Sequence, residues 1–170
     1  MSEKVSVTTT GEVYVDTYME EQNIFNAEGI NSCIAYAIAN DRKVVFTKGN
    51  TYTINEPITI SNESNTTKSI NIDFNGAIIT AVTDEPLDYL VKLTAASNNG
   101  NVVSHISNFR ADASCAQYGI YATKAIRLRM DNIDITNNVI STVTKFWCGT
   151  QSQYDAISVK DPNTVYMIHE

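Results

Sequence analysis

The chain has 170 residues, and 12 Lys+Arg against 19 Asp+Glu give it a formal net charge of −7. That length can bury a core within one domain, and the acidity argues against a nucleic-acid groove or an anionic membrane surface, which need clustered Lys and Arg. With 19 Ile and 14 Val against 4 Leu, beside 19 Thr and 18 Asn, the composition excludes a helical bundle and predicts a mainly β chain rich in turns.

No apolar run approaches the roughly 20 residues that span a bilayer, so no membrane span is expected. Met1 to Gly11 is polar and lacks an apolar signal core, so export by a signal peptide is not supported. Cys33, Cys115 and Cys148 are odd in number and without metal-ligand spacing. They are expected to be small buried hydrophobes in a reduced compartment, with no disulfide framework and no metal.

Residues 1–25 read as a polar arm or edge strand, with short alternation at Val5 and Val7 and at Val13 and Val15. From Asn26 to Asn40 the period changes. Ile30, Ile34, Ala37 and Ile38 fall on one helical stripe, with Asn26 as the expected N-cap, Glu28 in the first turn and Asn40-Asp41 as the stop. This is the only helix expected. After it come short strands at Val44–Phe46, Thr51–Ile54 and Ile58–Ile60, and then three stretches that align with one another.

These stretches begin at Ile70, Val102 and Ile126, which sets offsets of 32 (Ile70 to Val102) and 24 (Val102 to Ile126). In each, alternation runs for a few residues, breaks by one and resumes, as a strand, a corner and a second strand would. The breaks fall at Asn75-Gly76, Ser107-Asn108 and Asp131-Asn132, residues that tolerate unusual backbone angles. Asn108 and Asn132 are expected to form an amide ladder. The surplus residues fit an outward loop within Asp84–Asn101, and a partial fourth copy is expected from Tyr154. Stacked rungs of this kind predict a parallel β-solenoid. The competing all-β reading is a sandwich of antiparallel hairpins, for which Asn75-Gly76 is the turn signal.

The segment Asn26 to Ile60 resembles the opening of phage tail spikes with a pectate-lyase-like right-handed parallel β-helix. The residues that carry the resemblance are the helix and Gly49, Tyr52 and Ile54. Thr47 stands where that family usually has Pro, and Asp41-Arg42-Lys43 stands in place of its usual glycines. The polar arm suggests the tail-appendage proteins of podoviruses. The resemblance implies a virion tail protein made in the host cytoplasm, a homotrimer that adsorbs to a host cell-surface glycan and docks on other tail or neck proteins through residues 1–25. Residues 26–170 would be a capping helix, with Ile30, Ile34 and Ile38 facing the first rung, followed by the first rungs. Because Val165 to Glu170 reads as a strand without a polar cap, the chain is expected to be the N-terminal part of a longer protein.

Sugar hydrolysis needs two carboxylates about 5–10 Å apart, and the 24-residue register brings Asp112, Asp131 and Asp134 onto neighbouring rungs, with Asp155 as a further candidate. Outward Asp residues are also the ordinary surface of such a fold, so no catalytic residue is assigned and no activity is expected from residues 1–170 alone. His105 is expected to be ordinary surface. No phosphate-cradling glycine loop is present, and no cofactor is expected. Tyr118, Tyr121, Phe146, Trp147 and Tyr154 form the richest aromatic region, suited to sugar stacking, to a subunit interface or to plain packing. A cellular polysaccharide lyase or glycoside hydrolase of the same fold is the alternative reading, and a binding module without catalysis is a third.

Overall fold

The computed structural model describes residues 11–61, 68–94, 104–123, 128–137, 145–158 and 164–169. It divides into two units, Met1–Val139 and Ile140–Glu170. The first opens with strand β1 (Glu12–Tyr14) and helices α1 (Val15–Gln22) and α2 (Asn26–Ala39). Strands β2 (Lys43–Val45), β3 (Thr51–Ile54) and β4 (Ile58–Ser61) make one circuit, and β5 (Asn71–Asp73), β6 (Ile78–Ala81) and β7 (Leu87–Thr94) the next. They are followed by β8 (Ser104–Ser107), β9 (Arg110–Asp112) and β10 (Ala116–Thr123), then by β11 (Leu128–Asp131) and β12 (Asp134–Thr136).

Successive strands visit three sheets in rotation. The first sheet runs β1-β2-β5-β8-β11, the second β3-β6-β9-β12 and the third β4-β7-β10. Every pairing is parallel, which overturns the sandwich reading and its hairpins. The chain is mainly β with parallel sheets and, among the described residues, three helices rather than the one expected.

Inward residues fill a continuous apolar core. Phe46, Phe74 and Phe109 meet at the corner between the first and second sheets, with ring centroids 4.4 Å and 4.8 Å apart along the row. On the outside of that corner Asn75, Asn108 and Asn132 all adopt left-handed angles, with φ of 52°, 54° and 55°. Asn tolerates that region better than other residues with a Cβ. The Asn132 amide donates to Asn108 Oδ1 at 2.9 Å, and the Asn108 amide donates to Asp73 Oδ1 at 2.9 Å. The amide ladder expected from the register is present.

That register holds over the last two circuits, where Asp134 faces Arg110 and Asp131 faces Ser107. Between the middle circuits it changes from sheet to sheet. Ile72 faces Ile106, an offset of 34, while Ile78 faces Arg110, an offset of 32, and Leu87 faces Ala116, an offset of 29. The surplus is therefore spread over several corners; within the span Asp84–Asn101 expected to hold an outward loop, Leu87–Thr94 form strand β7 and residues 95–101 lie outside the described residues. The alignment is two residues out on the first sheet. A slip of two keeps every side chain on its face, so the inward and outward assignments survive it.

Residues 12–22, expected as part of a polar arm or edge strand, form β1, at the edge of the first sheet, and α1. Val13, Val15 and Tyr18 are buried, and Tyr18 bonds Ser32 through its hydroxyl and stacks obliquely on Tyr36 of α2. Asn23, at φ 54°, ends α1. The cap of α2 is Phe25, without the side-chain bond expected from Asn26. Ile30, Ile34 and Ile38 are buried in the core, and α2 packs on β2, β3 and β4. Asn31 accepts from the Thr59 N–H at 2.7 Å and donates to the Pro57 carbonyl, closing the backbone edge of β4. Gly29 is needed where α2 passes the α1 turn, because a Cβ there would collide with the Ile24 carbonyl oxygen.

The second unit pairs β13 (Lys145–Thr150) in parallel with β14 (Thr164–His169), joined through helix α3 (Gln151–Asp155). The fourth copy expected from Tyr154 is not formed, because residues 151–155 are helical. Thr150 and Gln153 make a reciprocal capping box, a local helix-starting signal that outweighs the weak strand pattern.

Two outcomes follow from the corner. Asn108→Ala and Asn132→Ala are each expected to destabilise by about 1–3 kcal/mol, through strained backbone and unpaired amides. A double-mutant cycle by urea unfolding should show a coupling of about 0.5–1.5 kcal/mol; additive effects would refute the ladder. Phe74→Ala is expected to cost about 3–5 kcal/mol by the same assay.

Candidate functional site

The outward faces of the three sheets differ in chemistry. On the first, each parallel pairing sets the outward side chains in two rows. Lys43 bonds Asp73 at 3.0 Å and lies 3.7 Å from Glu12. Further along, Asp131 Oδ2 is shared by His105 at 2.8 Å and Arg129 at 2.7 Å. His105, expected as ordinary surface, therefore has a specific partner. Asp73 is pushed up by partial burial, but the amide of Asn108, the ammonium of Lys43 and the N–H of Asn75 outweigh this and hold it below its ordinary value. Burial pulls Lys43 down, and Asp73 and Glu12 more than restore it, leaving it raised.

On the second sheet, Asp112 and Asp134 line one shallow cleft of about 210 Å³ with Ile78, Arg110, Ala111 and Thr136. Asp134 faces Arg110 across the rungs, at 3.4 Å from its Nε, and Asp112 faces Thr136. The two carboxylates are thus diagonal neighbours on parallel strands. Asp112 accepts from the Ser114 N–H and from the Asn137 amide, and these bonds hold it below the usual carboxylate range. Asp131 is likewise lowered, chiefly by His105. A glycosidase acid must keep its proton near neutrality, which requires a raised carboxyl. Lowered Asp112 and Asp131 suit the binding of hydroxyl groups, not proton donation. Asp155 lies elsewhere, at the end of α3, where Gln151 donates to it at 2.8 Å.

On the third sheet, Tyr118 and Tyr121 of β10 are 46% and 43% exposed. Strict alternation would put residues three apart on opposite faces. Two consecutive inward residues in each strand, Leu90-Val91 in β7 and Gly119-Ile120 in β10, break the period and bring both tyrosines outside. The sequence reading missed Tyr89. It faces Tyr118 across the rungs and stacks on Tyr121 at 5.5 Å and 14°, with Lys92 Nζ 5.5 Å from its ring. The residues Leu90-Val91 carried the available signal. Tyr154 is half-buried on α3. Phe146 and Trp147 lie on β13, and their side chains fall outside the described set.

Burial pushes the Cys33 thiol up to about 12, and Cys33 and Cys115 are both free. Among the described residues no three His, Cys, Asp or Glu side chains gather to hold a metal ion, and no helix is long and apolar enough to cross a membrane.

Because Asp73 is depressed in the folded chain, its contribution to stability is present above the unfolded carboxyl's pKa and is lost as pH falls through the folded value. The melting temperature is therefore expected to fall with acid through this window. Asp73→Asn should lower stability at neutral pH and flatten that slope, whereas an unchanged slope would show that the pair has no such linkage.

Comparison with known proteins places these features in a setting. No curated protein and no solved structure matches the chain significantly. A family model described as a phage tail tip domain matches residues 144–169, the stretch that contains β13, α3 and β14. The match covers a small part of the chain, and it supports a phage tail component located in the virion tail.

Proposed function

We propose that this chain is a tail spike or tail appendage component that mediates adsorption to the host cell surface, with its helical end towards the virion. In this reading the three sheets form a right-handed parallel β-helix of the pectate-lyase-like kind. The chain assembles as a homotrimer, contacts a host-surface glycan and belongs to the virion-proximal part of its protein. The match of residues 144–169 to a phage tail tip domain carries the reading. The rotation of strands through three parallel sheets supports the β-helix, and the strong right-handed preference of parallel crossovers supports its hand. The exposed tyrosines of the third sheet and the cleft of the second, lined by Asp112, Asp134 and Thr136, suit saccharide contact.

A cellular polysaccharide lyase or glycoside hydrolase is the second reading. The cleft with Asp112 and Asp134 on neighbouring strands favours it, and the lowered carboxyl of Asp112 weighs against it.

Immunogold labelling with antiserum against the chain should mark the tails of particles that carry its gene; label confined to host cells would overturn the virion reading. Light scattering should give a trimer. The purified chain should bind at least one polysaccharide in a panel of bacterial envelope glycans, including teichoic acids, without releasing oligosaccharides. Tyr118→Ala with Tyr121→Ala should weaken that binding by roughly tenfold or more if stacking on these rings supplies it. Release of oligosaccharides would favour the enzyme reading.

A further inference from the structure

Charge is paired differently on the three outward faces. On the first and second sheets Lys43, Arg110 and Arg129 each lie against a carboxylate. Lys92, on the third, forms no ion pair among the described residues. Its Nζ lies 5.5 Å from the centre of the Tyr89 ring, and it falls in one cross-strand row between Thr59 of β4 and Tyr121 of β10. Tyr89 in turn stacks on Tyr121. Strands β4 and β10 carry no acidic residue. The carboxylates at the margin are Asp88, four residues before Lys92, and Glu56, three residues before Thr59. At about 3.3 Å per strand residue these lie roughly 10 Å or more along the chain from the row, beyond the screening length of about 8 Å at physiological salt.

A cation without a carboxylate, set beside exposed rings, offers charge and flat apolar area to the same ligand. The rings of Tyr118 and Tyr121 suit the C–H face of a sugar, and Lys92 suits an acid group that the sugar carries, with the Thr59 hydroxyl in the same row as a further donor. We propose that the outward face of the third sheet takes an acidic saccharide, its ring on the tyrosines and its carboxylate or phosphate on Lys92. The inference rests on the glycan-contact reading and adds the class of glycan. One cation among hydroxyls and rings fits an acid group spaced by neutral sugars. A nucleic acid brings a phosphate at every residue and is disfavoured. The net charge of −7 opposes any anion at long range. Salt screens that repulsion, and the groups nearest the ligand then decide.

The test uses the full chain and the panel of envelope glycans sorted by charge, with phosphomannan beside mannan and hyaluronan beside dextran. The first pair reports a phosphate and the second a carboxylate. Biolayer interferometry should show that the polymers bound are acidic and that binding weakens as salt rises from the physiological level. Polyglutamate and oligothymidylate, polyanions of other classes, should not bind. Lys92→Gln should weaken binding by roughly tenfold or more and remove most of its salt dependence, while Lys92→Arg retains both. Should Lys92→Gln melt below the parent, Thr59→Glu, from an exposed position facing Lys92, neutralises the cation instead. Neutral polymers bound as tightly as acidic ones, binding that strengthens with salt, or indifference to these substitutions overturns the proposal and leaves the glycan reading standing. Capture of oligothymidylate would overturn it in favour of nucleic acid. A trimer that Tyr118→Ala with Tyr121→Ala dissociates would overturn it by showing that neighbouring copies cover the face. If the parent binds no glycan at all, the proposal and the glycan reading fall together.

Discussion

The first unit depends on every circuit turning at the same place. Parallel strands stack in register when equivalent corners turn at equivalent places, and a left-handed residue turns each of these corners, the one at Asn75-Gly76 being two residues longer than the one at Asn108. Asn75, Asn108 and Asn132 meet that need, and they differ from glycine in what else they bring. Each side-chain amide bonds across rungs, Asn75 to the Phe46 carbonyl, Asn108 to Asp73 and Asn132 to Asn108. Beneath them Phe46, Phe74 and Phe109 fill the inside of the same corner. Backbone, polar exterior and apolar interior thus impose one register, which is the condition for a unique fold.

Register is also what makes surface chemistry regular. Residues far apart in the chain become neighbours, as Lys43 and Asp73 do, and as Asp131 does with His105. The resulting pairs are partly exposed, so each contributes modestly to stability. Their larger effect is on protonation. Carboxyls that accept several hydrogen bonds stay ionised, which suits a face that binds and opposes one that donates protons.

Much of this was readable from residue type and spacing, because the corner residues and the alternation are local properties. The Asn positions, the 24-residue pairing of Arg110 with Asp134 and the apolar stripe of α2 all have such signals. Helix α1 had only Val15, Tyr18 and Met19 within a polar segment, too short a stripe to outweigh its composition. Strand β7 was hidden because the surplus residues are spread over several corners, and only backbone pairing reveals where each falls. Tyr89 was missed for a related reason. Its partnership with Tyr121 depends on a paired break in alternation in two strands at once.

The Asn75-Gly76 corner has a bearing on chemical ageing. Asn followed by Gly is the dipeptide most prone to lose its side-chain amide in water, by attack of the glycine nitrogen on the asparagine carbonyl carbon. Here the Gly76 N–H is engaged by the Asn108 carbonyl at 3.0 Å, and the Asn75 amide is held by the Phe46 carbonyl. Both reacting groups are tied to neighbouring rungs, so the reaction must wait for the corner to open. The same bonds that keep the circuits in step therefore set the shelf life of the molecule outside the cell, where nothing can replace it.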